Sequence, residues 1–176
     1  MNEESLISAI SGSTYVVHVA SPFYFAQTEE EIIPPAINGT TAAMKACQAA
    51  GVRRCVVTSS GYAIFQTAEK PADNTYNESH WSDPDRPGGM EPYPKSKVLA
   101  EKAAWDFHRA LPDDQKFELT VCNPGFVLGP PLVVESGSSV SWCKGLMEGK
   151  MGPPPMDLPC VDVRDVAKAH LLAIKN

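Results

Sequence analysis

The sequence predicts an α/β fold built on a doubly wound parallel sheet, and three observations carry that prediction. Short Val-rich runs recur along the chain, amphipathic helical stretches separate them, and Gly or Pro closes most units. Runs this short and this uniformly apolar suit strands covered on both faces. Their alternation with helices implies right-handed βαβ crossovers.

In chain order, Thr14 to Ala20 (TYVVHVA) is the first candidate strand. Glu29 to Ala50 follows as a helical segment, its acidic start matched to the positive helix end and Gly51 placed to stop it. Pro34 and Pro35 are expected to place the regular helix after them. Cys55 to Thr58 is the second strand. Lys95 to Leu111 (KSKVLAEKAAWDFHRAL) is a strong helix, with Leu99, Ala103 and Phe107 recurring every four residues as the stripe expected to face the sheet. Leu119 to Cys122 and Cys160 to Val163 are the third and fourth strands. Val163 to Ile174 completes the pattern as a third amphipathic helix, with Val163, Ala167, Leu171 and Ile174 on one face and Asp162 available as N-cap. The 16 prolines, about twice the number expected from a usage of roughly 5%, cluster at Pro34/Pro35, between Pro71 and Pro94, and at Pro153 to Pro155. Those clusters read as loops or helix starts.

A chain of 176 residues with 43% hydrophobic content fits one domain with a buried core. A formal charge of −6 and the lack of a Lys/Arg run argue against nucleic acid or an anionic membrane as partner, leaving a small molecule. The five cysteines are odd in number and form no C-x-x-C pair, so neither a disulfide framework nor a zinc site is expected. The four histidines have no ligand at metal-binding spacing, and no metal is expected. The acidic start is unlike a signal peptide and no 18 apolar residues run together, so the expected location is the cytoplasm.

Ligands of open α/β sheets sit beyond the carboxyl ends of the strands, so those residues bear most on function. The first strand leads to Val19-Ala20-Ser21-Pro22, whose small side chains suit either a flat ligand or a tight turn. The second leads to Thr58-Ser59-Ser60-Gly61, hydroxyls suited to a site or to capping a turn. The third leads to Asn123-Pro124-Gly125, a turn or a ring-binding surface. The strongest local signal is Tyr93-Pro94-Lys95-Ser96-Lys97, because residues four apart on a helix project together. An ammonium held near a phenol favours the phenolate, so Tyr93 is expected to have a lowered pKa and to exchange protons near neutral pH.

In their order HVASP, VVTSSG, YPKSKVLAEKAAW, NPGFVLGPPL and VDVRDVAKAH, these motifs resemble the extended short-chain dehydrogenases. The similarity is greatest to the branch of dihydroflavonol, cinnamoyl-CoA and aldehyde or methylglyoxal reductases, and it covers nearly the whole chain. It implies a Rossmann-like sheet binding NADP, or alternatively NAD, and reduction of a ketone or aldehyde to an alcohol. Ser60, Tyr93 and Lys97 match the family's catalytic residues: Tyr93 as proton donor, Lys97 on the nicotinamide ribose, Ser60 orienting the carbonyl. Val19, Ala20, Ser21, Pro124, Val127 and Ser139, with Tyr93 and Lys97, match its cofactor contacts. Asn38 matches a supporting asparagine, and the loop from Tyr62 to Met90, with Phe65 and Trp81, is expected to border the substrate.

Two departures shape the expectation. No G-x-x-G-x-x-G occurs, so residues 1–176 are expected to form a partial Rossmann domain without the glycine-rich βαβ unit that receives the diphosphate. The segment after Val161-Asp162-Val163-Arg164-Asp165 is also short of the family's substrate region. An exposed sheet edge prone to self-association, poor NADPH binding and little turnover follow as expectations. The competing readings are a nucleotide-sugar epimerase or dehydratase using the same Tyr/Lys pair, and a catalytically silent fragment or regulatory binding protein.

Overall fold

A computed structural model describes residues 3–24, 26–132, 138–152 and 159–176. Pro153 to Pro155 therefore lie outside the described residues. Five strands and five α-helices are present among the described residues: α1 Glu3–Ile10, β1 Tyr15–His18, α2 Glu29–Ala49, β2 Arg54–Thr58, α3 Pro92–Ala110, β3 Glu118–Cys122, β4 Phe126–Leu128, α4 Ser138–Met147, β5 Cys160–Asp162 and α5 Val163–Lys175.

The predicted fold class is the observed one. Strands β1, β2 and β3 form a parallel sheet in that order. Alternate residues of β2 serve its two faces: Cys55 and Val57 join Ala43, Met44 and Cys47 of α2 and Ala104 of α3 in the core. Arg54 and Thr58 point the other way, to α5: Arg54 donates to the carbonyls of Ala173 and Ile174, and Thr58 bonds His170 at 2.7 Å. Helices thus cover both faces. The fourth predicted strand does not join this sheet; β5 pairs with β4 in a separate two-stranded parallel sheet. Segment β4 directly follows the Pro124-Gly125 turn and reads as part of it in the sequence.

Burial on both faces holds for the middle of β2, Cys55, Val56 and Val57, but not for β1, whose Tyr15 and Val17 are about 40% exposed (42% and 39%). Both lie in register with Arg54 and Val56, and so face the side of α5. That helix lies over β2 and β3, and these two side chains of β1 stay partly open to solvent.

Three helix expectations are corrected. Pro34 and Pro35 lie inside α2, seven residues of whose sequence precede Ala36. The ring nitrogen of Pro35 cannot bond the Glu31 carbonyl, and the Tyr24 hydroxyl donates to that carbonyl at 2.7 Å instead. On α3 the buried residues are Pro94, Ser96, Lys97, Val98, Ala100, Glu101 and Ala104, while Leu99, Ala103 and Phe107 are half-buried. The helix packs along α2 and also contributes Ala104 to the core cluster with Cys55 and Val57 of β2, so its covered face is wider than one stripe and shifted from it. On α5, Ala167 and Leu171 are exposed and His170 is buried; contact runs through Val166, His170, Ala173 and Ile174. Asp162 caps α5 as predicted, accepting from the Arg164 amide at 2.8 Å.

Of the five cysteines, Cys47 and Cys55 are buried, Cys122 and Cys143 half-buried, and Cys160 exposed. No helix among the described residues is long and apolar enough to cross a membrane.

Candidate active site

Because β1, β2 and β3 run parallel, their carboxyl ends open on one side of the sheet. Backbone bonds join two of these ends beyond the ladder, from Ser59 N to Cys122 O and from Gly61 N to Pro124 O, each 2.8 Å. Next to them Gly125 approaches β5 so closely that a Cβ there would fall 2.2 Å from the Pro159 carbonyl oxygen. The turn is therefore fixed by main chain on two sides.

A cavity of about 430 Å³ lies across these ends. Ser60, Tyr93, Lys97, Val19, Ser21, Pro124, Val127 and Ser139 all line it. Of the predicted positions Ala20 lies one step away, in an adjoining crevice that it shares with Ser21 and Lys97. Segments spread over 121 positions of sequence thus meet at one place. Asn38 is exposed on α2 and is not among the lining residues. Phe65 lines the cavity as expected, whereas Trp81 lies beneath the Lys102 ammonium, 5.7 Å from ring centre to Nζ, and does not line it.

Ser60 is extended and caps the 3-10 turn Gly61–Ala63, its Oγ accepting from the Tyr62 amide at 3.2 Å. That bond uses a lone pair and leaves the hydroxyl hydrogen to donate into the cavity. The capping role and a site role are thus compatible. Tyr93 sits in the first turn of α3, its ring 5.1 Å from Phe23 and edge-on to Tyr62 at 6.1 Å. Lys97, one turn on, donates to Ser21 Oγ at 2.7 Å, with Nζ 5.3 Å from the Tyr93 ring centre.

The electrostatics correct one expectation. Burial, with a smaller push from Tyr62, raises the Tyr93 phenol above its ordinary range instead of lowering it. Burial also lowers Lys97, from 10.5 to about 8. Tyr93 therefore stays protonated at neutral pH. The charge of Lys97 in turn, after burial, depresses His18 on β1.

Several contributors escaped the sequence reading. Phe23, Phe126 and Trp142 add to the aromatic lining, Phe126 and Trp142 as a T-shaped pair 5.2 Å apart, beside Tyr62 of the loop expected to border the substrate. Behind Ser60, Asn123 Nδ2 donates to the Ser60 carbonyl at 3.2 Å and to the buried Glu101 carboxylate at 2.7 Å. No local pattern marks residues 22 positions apart as partners.

A parallel sheet whose central strand ends in Ser60 and whose next helix opens on Tyr93 and Lys97 is the arrangement expected of an extended short-chain dehydrogenase. The chain belongs to the 3-beta hydroxysteroid dehydrogenase/isomerase family, whose family model matches residues 1–176. It is 38% identical over 185 residues to the NADPH-dependent methylglyoxal reductase GRE2 of Saccharomyces cerevisiae, covering 92% of this chain and 52% of that protein. It is 32% identical over 186 residues to anthocyanidin reductase of Arabidopsis thaliana, covering 97% and 54%. The crystal structure of yeast methylglyoxal/isovaleraldehyde reductase Gre2 complexed with NADPH matches with a TM-score of 0.85 at 34% identity, over 99% of this chain and 56% of that one. The chain spans about half the length of the curated relatives it matches. The reductase branch expected from the motifs is the one found.

Proposed function

We propose that this chain carries the carbonyl-reducing site of an NADPH-dependent oxidoreductase, with residues 1–176 as the nicotinamide-side part of a Rossmann domain. The observation that supports it is the convergence of Ser60, Tyr93 and Lys97 on one cavity with Val19, Ser21, Pro124, Val127 and Ser139. Those side chains fit the nicotinamide end of a dinucleotide: small and apolar groups can flank a flat ring, and Lys97 with Ser21 can hold ribose hydroxyls. NADPH is preferred to NAD because the yeast relative is an NADPH-dependent enzyme. When bound, the cofactor supplies hydride.

The chain's own residues supply the rest. Ser60 Oγ donates a hydrogen bond to the carbonyl oxygen and orients it. Tyr93, kept protonated by burial, transfers its phenolic proton to that oxygen as negative charge develops there. Lys97 places a positive charge beside both groups.

The walls bear on the substrate. Phe23, Tyr62, Phe65, Phe126 and Trp142 are aromatic, and Lys97 is the one charged side chain among the described lining residues. A neutral ketone or aldehyde with a bulky apolar substituent fits this better than a small dicarbonyl or a nucleotide sugar. A second partner is another copy of this chain, through the open face and edge of β1.

Single-turnover oxidation of NADPH, followed by absorbance with enzyme in excess, tests the assignment. Tyr93→Phe is expected to slow it at least ~100-fold, within the usual range for losing a proton donor, and an aromatic aldehyde is expected to outpace methylglyoxal. Unchanged turnover in Tyr93→Phe overturns the catalytic role.

A further inference from the structure

Taking a carboxylate out of water is unfavourable unless donors meet it. Glu101 is 6% exposed, and two donors reach it: Asn123 Nδ2 at 2.7 Å and Trp105 Nε1 at 3.3 Å. An apolar side chain of similar size could fill the same space between α3 and the sheet without that requirement. What a carboxylate adds is direction.

The direction leads to Ser60. The same Asn123 amide nitrogen that donates to Glu101 donates to the Ser60 carbonyl at 3.2 Å, its two hydrogens serving two acceptors. With Nδ2 drawn to a carboxylate, the amide cannot turn its oxygen toward the Ser60 carbonyl, where two acceptors would oppose each other. That carbonyl also accepts from the Ala63 amide at 2.9 Å, so the peptide after Ser60 is held from two sides while Oγ is held by Tyr62 N. Glu101 lies four residues after Lys97 and eight after Tyr93, on the buried side of α3. The chain Glu101, Asn123, Ser60 therefore ties the strand end bearing the hydroxyl to the helix bearing the phenol and the ammonium.

We propose that Glu101 is a positioning residue of this site, acting through Asn123 to set Ser60 against Tyr93 and Lys97. The proposal rests on the reductase reading above. It predicts that Glu101 matters to the reaction only while Ser60 has a hydroxyl to place.

The test uses the full chain and two independent readouts. The first is amide hydrogen exchange. Glu101→Leu is expected to speed exchange at Tyr62 and Ala63 by about tenfold to a hundredfold, the scale of one hydrogen bond to a charged group, and to leave the β2 amides protected. The second is single-turnover NADPH oxidation. Glu101→Leu is expected to slow it by a similar factor without weakening NADPH binding, and Glu101→Gln, whose amide oxygen still accepts from Asn123, is expected to recover most of the rate. In a Ser60→Ala background the effect of Glu101→Leu is expected to shrink to about twofold or less, as for residues acting through one link. Wild-type exchange in Glu101→Leu, or an undiminished rate loss in the Ser60→Ala background, overturns the proposal. If Glu101→Leu does not fold, Asn123→Ala cuts the same link from the other side and is expected to give the same two patterns; its failure to do so also overturns the proposal. A wild-type chain that oxidises no NADPH sinks the reductase reading, and exchange at Tyr62 and Ala63 then decides the positional role of Glu101.

Discussion

Lys97 is held where its charge is least comfortable, 7% exposed and lowered from 10.5 to about 8, and this makes it a residue retained against stability. The sign follows from proton counting. Between pH 8 and 10.5 the unfolded chain binds a proton at Lys97 that the folded chain has lost, so stability rises with pH through that window. Below pH 8 the buried ammonium is a full penalty. Lys97→Met is accordingly expected to stabilise the chain at pH 7 by up to about 3 kcal/mol, less whatever the lost bond to Ser21 contributes, and to abolish NADPH oxidation. Urea denaturation at pH 7 and pH 10 checks it, with the wild type gaining on the variant at the higher pH. The Tyr93/Lys97 pair was legible because its spacing is local, one helical turn. The direction of the Tyr93 shift was not, because it depends on Phe23 and Tyr62, which the sequence places 70 and 31 positions away.

Elements were legible where one pattern dominates. Helix α3 and the Asp162 cap of α5 follow from periodicity and capping chemistry. The path of α2 through Pro34 and Pro35 did not, since a hydroxyl from outside the helix, that of Tyr24, meets the carbonyl that Pro35 leaves open. Strand β4 directly follows the Pro124-Gly125 turn, so its three residues read as a continuation of that turn. Its existence depends on Gly125, where a Cβ would meet the Pro159 carbonyl. Gly125→Ala is expected to destabilise the chain by about 3 kcal/mol through main-chain overpacking, seen as a fall in melting temperature. A melting temperature equal to wild type would show that β4 and β5 can separate freely. The buried face of α5 was misread because Arg54 and Thr58, both on β2, set its rotation through Ala173, Ile174 and His170.

At the scale of the whole molecule, the parallel order and the helices on both faces follow from strand and helix alternation. The division into two sheets does not, because which strands pair is settled by long-range contacts. The incomplete cover of β1 has the same origin. Tyr15, Val17 and Val19 are 42%, 39% and 61% exposed on one side of the sheet, beside an edge with no strand partner among the described residues. Such a surface favours association. Sedimentation velocity is expected to show concentration-dependent assembly that Val17→Lys reduces; a chain that stays monomeric at high concentration would remove self-association from its properties.

The cysteines give this molecule a built-in chronometer. Cys160 is open to solvent, whereas Cys47 on α2 and Cys55 on β2 are both buried in the same core cluster. An alkylating reagent therefore marks the surface at once and the centre only when α2 lifts from the sheet. The interval between the two modifications clocks the opening of the core without any introduced probe.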